Sequence, residues 1–233
     1  MKNNDNSSIF EILKKKAELK QEVYTNTIHT FKIFKNVIKS IKDEYDKNIN
    51  PKQKNILFEY KIKSEFEIEL KFGGDILIFM MHTNVFEFPK SHEVMKTSYL
   101  KEDSDRSYCG IINIYNFLGD SFKYNRINDI GYLIGRVFVN KDLHYFIEGE
   151  SEISLLFNNF VNLKINENEA KKIIESAILY TINFDLLTPP FDAIKEVSVY
   201  EIKTTIDNMK MKTGKRLGFK FQKEEEKTEN TKD

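Results

Sequence analysis

Four histidines, His29, His82, His92 and His144, are the groups this sequence offers for general-base or metal chemistry. No two stand at the H-x-x-x-H or H-E-x-x-H spacing that puts two imidazoles on one helical face to hold zinc. His82 and His92 are the pair worth following, because the polar stretch around them adds Glu93, Glu102, Asp103, Asp105 and Arg106. Imidazoles and carboxylates gathered by one loop bind a divalent cation or activate a water, which makes His82, His92, Asp103 and Asp105 the site of a metal-assisted hydrolase reading. The plainer reading is an ordinary polar loop. Asp103-Ser104-Asp105 opens like a calcium loop, but Tyr108 holds the sixth position, where Gly belongs, and Ile114 the twelfth, where Glu belongs.

Phosphate and nucleophile chemistry finds less. Thr213-Gly214-Lys215-Arg216 looks like the end of a phosphate loop, yet position 209, which needs Gly, is Met. No G-x-S-x-G elbow occurs, and the lone Cys109 opens an apolar run, where a thiol is usually a small buried hydrophobe. Lys210 to Lys220 carries Lys210, Lys212, Lys215, Arg216 and Lys220 among Leu217, Phe219 and Phe221, so it would suit a nucleic-acid backbone. A short edge strand with its lysines in water explains the same residues. With 36 basic and 36 acidic side chains cancelling, no global field favours nucleic acid or anionic lipid, and nucleic acid is the third choice.

Arginine is the more informative cation. Only Arg106, Arg126, Arg136 and Arg216 occur among the 36 basic residues, as AT-rich codon usage favours Lys, so an Arg here more often needs its planar fork. Three of the four fall in the central third. Asn113 and Asn116 interrupt an apolar strand pattern there, as Arg136 interrupts another, and buried polar groups must find partners. The expected ligand-binding set is therefore Arg106, Asn113, Asn116, Arg126 and Arg136, converging on a carboxylate or phosphate. The competing reading pairs the arginines outward with Asp or Glu.

The elements that would position these residues follow from periodicity. Ser8 and Glu11 read as a capping box opening a helix over 8–48, whose apolar positions 17, 24, 31, 38 and 45 step by seven. A rod of that length outgrows a small domain, so either a partner helix in a homodimer covers it or a break near Thr25-Asn26-Thr27 folds it back. Ile56, Phe58, Tyr60, Ile62, Phe66, Ile68, Leu70 and Phe72 all fall on even positions, with Lys and Glu dominating the odd ones from 59 on, predicting one long bent strand. Gly73-Gly74 turns it into Ile76–Met81, apolar on both faces and hence central. Pro89 to Ser107 is a long polar loop. Cys109–Phe117, Tyr132–Val139 and Leu143–Glu148 complete about five strands. Asn166 caps a helix with Ala170, Ile173, Ile174, Ala177, Ile178 and Ile182 on one face, which must pack on the sheet. A further capping box, Ser198 to Glu201, opens a helix to about Met209.

The expectation is an α+β fold: a mainly antiparallel sheet of about five strands against C-terminal helices, preceded by the long N-terminal helix. The divisions are 8–48 as a dimerisation element, 52–213 as the core domain and 214–233 as a basic, then charged tail. This layout resembles that of small-molecule sensor domains of the PAS and GAF types, a likeness of layout without a motif. One cysteine excludes an internal disulfide, and neither a secretory leader nor a membrane-length apolar run occurs, which predicts a cytoplasmic protein with no membrane contact. No cofactor or resident metal is expected. The function read from this is non-enzymatic binding of a small anionic ligand or a protein partner.

Overall fold

The computed structural model describes residues 4–49, 57–150, 153, 160–185, 188, 190–200 and 202. Helix α1 spans Asn4–Asn48, then strands β1 Phe58–Ser64, β2 Glu67–Phe72, β3 Asp75–Met81 and the short β4 Phe86–Glu87 follow. Two single 3-10 turns, Glu93–Lys96 and Ser104–Ser107, flank helix α2 at Ser98–Glu102. After these come β5 Tyr108–Leu118, α3 Gly119–Lys123, β6 Tyr132–Asn140, β7 Tyr145–Gly149, α4 Glu167–Ile182 and α5 Phe191–Ile194. The class is α+β, as expected.

The strands form one antiparallel sheet in the order β1-β2-β3-β5-β6-β7, with β4 pairing β5 beyond the end of β3. That makes seven strands where about five were expected. The extra count comes from two places the period could not resolve. The predicted single strand over 56–72 is a hairpin: Phe58 faces Phe72, Tyr60 faces Leu70 and Ile62 faces Ile68. The register shifts between Ile62 and Ser64, and this bulge supplies the extra residue that restores even parity after a tight turn. Strand β3 holds the central place its two-sided apolar run predicts, between β2 and β5.

Helix α1 runs unbroken through Thr25-Asn26-Thr27 and starts ahead of the Ser8 box, at Asn4. Its seam is closed by its own sheet, a cover that heptad spacing cannot distinguish from a partner helix. Leu19, Val23, Thr27, Thr30, Phe34, Val37 and Ile38 are buried along one face. Thr27 and Thr30 donate their hydroxyls to the Val23 and Asn26 carbonyls, so they sit in the core without orphaned groups. The approach is close because Gly110 stands where the helix crosses β5; a Cβ there would lie 2.0 Å from Thr27 Oγ1. Helix α4 lies beside α1, linked by Lys171 to Glu44 at 3.1 Å, and buries Ala170, Ile173, Ile174, Ala177 and Ile178. Its Asn166 side chain accepts from the Glu169 amide, the predicted cap. Ile182, expected on that buried stripe, is 55% exposed.

The stretch from Pro89 to Ser107 is not an open loop. Its short helices bury Val94, Tyr99 and Leu100 with Phe88, Cys109, Ile111 and Phe138 in a second core on the sheet face away from α1. The helix expected to reach Met209, the Leu187 and Pro189 end signals and the Lys210 to Lys220 stretch lie outside the described residues. No helix among the described residues is long and apolar enough to cross a membrane.

Candidate functional site

Helices α1 and α4 cover one face of the sheet, and the second core covers only one end of the other. In an antiparallel sheet directly opposed residues share a face. Register places Glu67 against Met80, Met80 against Asn113, Asn113 against Arg136 and Arg136 against Glu148. One row of side chains thus crosses five strands, about 19 Å at the usual strand spacing. It stands on the face away from α1, since the neighbouring row of Met81, Ile112, Val137 and Ile147 lies in the main core. Met80 is 39% exposed and the Arg136 and Glu148 side chains 40% and 42%.

Two hollows adjoin this row. One, of about 270 Å³, is lined by Phe86, Phe88, His92, Ile111, Phe138 and Arg136. Its walls are held by aromatic packing: the Phe88 ring centroid lies 4.9 Å from Phe138 and 4.7 Å from His92. At its mouth the Arg136 guanidinium donates through Nη2 to the Glu148 carboxylate and sits 5.5 Å from the Phe138 ring centroid. The other hollow, about 260 Å³, is lined by Ser64, Phe66, Glu67, Met80, His82 and Asn113. Because Asn113 and Arg136 are cross-strand partners, the two hollows meet at the β5–β6 pair. Asn113 makes no side-chain hydrogen bond among the described residues. An apolar slot with a guanidinium at its rim suits a carboxylate that carries an apolar group.

Of the five residues expected at a ligand site, the structure brings together Asn113 and Arg136 alone. Arg106 lies at the β6–β7 turn, donating to Asp142 at 2.9 Å, to the Tyr99 carbonyl and to Glu102. Arg126 is buried and pairs with Asp129 at 2.8 Å. Each arginine therefore has its own carboxylate, and no two share one. Asn116 faces the main core, 1% exposed, and neither of its amide atoms has a partner among the described residues.

The His-carboxylate set is likewise dispersed over separate tasks. His82 Nδ1 accepts from the Asn84 amide and His92 Nδ1 from the Val94 amide, each closing a local turn. Asp103 pairs with Lys141 at 2.6 Å, which holds its carboxyl below the usual range, and Asp105 faces Lys15 at 3.8 Å. Among the described residues no three His, Cys, Asp or Glu side chains gather as a metal site would require. The Cys109 thiol is 1% exposed, and burial pushes it far above its ordinary value, which keeps it an unreactive hydrophobe.

Residues the sequence did not single out do most of the positioning. Asn140, fully buried, donates to the Tyr99 hydroxyl and Arg106 carbonyl and accepts from the Asp142 and His144 amides. Asn26 on α1 donates to the carbonyls of Asn140 and Lys141. This network ties the covering segment to the sheet and so fixes the wall that carries Phe88 and His92. Asn140 sits in a run of turn-tolerant residues, and nothing in that run tells a buried hub from an exposed turn. A further hollow, at the β1 edge, holds Lys61 and Lys71, but Glu69 and Glu59 stand directly opposite them, so charge alternates there. No family model matches the chain, and neither a curated protein nor a solved structure matches it.

Proposed function

We propose that this chain is a non-catalytic binding protein whose ligand is a small carboxylate with an apolar group, seated in the hollow between Phe86, Phe88 and Phe138 with its anion on Arg136. The observation that carries the reading is one half-exposed guanidinium at the rim of an aromatic slot. A guanidinium has five N–H donors, and the Glu148 carboxylate is bonded to Nη2, so further donors remain for a second anion. Non-catalytic action is supported by the occupations of the reactive groups: the two imidazoles serve as turn acceptors, Asp103 and Asp105 neutralise lysines, and the thiol is buried. A buried phenyl ring and one charge-assisted contact, less the cost of association, give a Kd on the order of 0.1 to 1 mM. Calorimetry with 3-phenylpropionate tests it. Binding should weaken about tenfold in Arg136→Gln and for the neutral amide of the same acid, the loss of one charge-assisted bond. Equal binding of acid and amide, or no effect of Arg136→Gln, refutes the reading.

Assembly has a narrower basis than the whole helix. Along α1 the seam from Leu19 to Ile38 is used internally, while Ile9, Phe10, Ile12 and Leu13 are 60–66% exposed on the first turns. A second copy, pairing its own first turns antiparallel, would cover them and set Glu11 of each helix near Lys14 or Lys15 of the other. The patch offers roughly 500 Å² per copy, below the ~800 Å² of a standard interface, so the dimer is weak. Sedimentation should show monomer and dimer exchanging at tens of micromolar, and Phe10→Lys with Leu13→Lys should leave monomer only. Unchanged association in that variant refutes this interface.

A further inference from the structure

We infer that the occupant of the open sheet face is the C-terminal end of a polypeptide, with its last side chain in the Phe86–Phe138 hollow, its terminal carboxylate on Arg136 and a basic side chain near Glu67. This rests on the ligand reading above and adds the class of molecule. Three observations support it. The row across the sheet carries the Glu148-paired cation Arg136 at one hollow and, at the other, the neutral amide of Asn113, then Met80, then Glu67. Glu67 makes no ion pair among the described residues, so its charge has only solvent to answer it. Asn113 presents a donor and an acceptor, the complement of a peptide group.

Spacing supplies the second half of the argument. One hollow is lined from β4, β5 and β6 and the other from β2, β3 and Asn113 of β5, so across the sheet they stand within two strand spacings, about 10 Å, of each other. A polyproline II chain returns a side chain to the same side every three residues, after about 9.3 Å. The last residue and the fourth from the end therefore reach the two hollows together. Arg136 and Glu67 stand three strand spacings, about 14 Å, apart, so a terminal carboxylate and the outstretched side chain of a lysine four residues in match them in sign, the lysine's length covering the remainder. A small acid fills only the first hollow and leaves Asn113 and Glu67 without a role.

Fluorescence anisotropy of the full chain with labelled Gly-Gly-Lys-Pro-Pro-Phe tests this. The free acid should bind at least about tenfold tighter than its C-terminal amide, and about tenfold tighter than the same peptide with Glu in place of Lys. Arg136→Gln should remove the acid-over-amide preference, and Glu67→Lys should reverse the preference between the two side chains. Both substitutions lie on the exposed row, and unchanged circular dichroism will show that the fold is retained. If acid and amide peptides bind alike while 3-phenylpropionate still needs Arg136, the polypeptide inference fails and the small-carboxylate reading stands. If 3-phenylpropionate shows no dependence on Arg136 either, the failure lies in the underlying reading.

Discussion

Gly110→Ala is the substitution that most sharply probes the layering on which the open face depends. An added Cβ would lie 2.0 Å from Thr27 Oγ1 and 2.7 Å from both Thr27 Cβ and Cγ2, all closer than packed atoms can stand. Thr27 cannot step aside freely, since it is fully buried and its hydroxyl is bonded to the Val23 carbonyl at 2.7 Å. Either α1 lifts from β5, loosening Val23, Phe31 and Phe34 nearby, or the strand bends. Overpacking of this kind costs typically 1–3 kcal/mol, and contact with a rigid, hydrogen-bonded residue puts the expectation near 3 kcal/mol. For a chain of this length that is a fall in Tm of roughly 6–12 °C. Differential scanning calorimetry of wild type, Gly110→Ala, Thr27→Ala and the double variant gives the cycle. Thr27→Ala removes two of the three clashing atoms, so the double variant should be about 1 kcal/mol or more stabler than additivity predicts. Gly110→Ala within 1 °C of wild type, or strict additivity, would refute the close crossing and with it the assignment of α1 to that face.

Three further outcomes follow from other particulars. Asn116→Leu replaces a buried amide without a partner among the described residues by an apolar side chain of similar size, so it should raise stability by about 1 kcal/mol, and a chemical-denaturation midpoint below wild type would contradict this. Asn140→Ala cuts the hub between the covering segment and the β6–β7 turn, leaving the Tyr99 hydroxyl and two amides short of partners; a loss of 2–4 kcal/mol is expected, with amide exchange of Val94 to Leu100 accelerated first. Burial pushes the Tyr99 hydroxyl up to about 12 from its ordinary value, and the Tyr145 hydroxyl is raised by burial as well. A raised folded pKa means stability that is full below about pH 10 and lost as pH climbs toward 12, on the order of 2–3 kcal/mol for Tyr99. Denaturation midpoints over that range should fall, and less steeply in Tyr99→Phe.

Much of the frame was legible because it rests on local alternation. Two-sided apolarity of Ile76 to Met81 located the sheet's middle strand, and Asn166 with Glu169 located the start of α4. The hairpin at 58–72 was hidden by its bulge, since one extra residue near Lys63 cancels the parity change that a turn would otherwise announce. The segment from Pro89 to Ser107 looked like a loop because helices of four or five residues are too short to display a period. Its three large buried residues belong to no single stripe. The seven-residue steps of α1 reported that one face is covered and carried no information on whether sheet or helix covers it. At the site, Arg136 and Asn113 were visible as polar interruptions, but the pairings that disperse the other arginines are tertiary. Arg106 meets Asp142 across 36 residues, and no spacing rule connects them.

Backbone amide shift mapping during titration with 3-phenylpropionate tests the central claim, that ligand binds the sheet face away from the helices. The shifts should cluster at Phe86 to His92, Ile111 to Asn113, Arg136 to Phe138 and Glu148, with α1 and α4 unmoved. Shifts centred on α1 or α4, or around Lys61, Lys71 and Phe122, would contradict it.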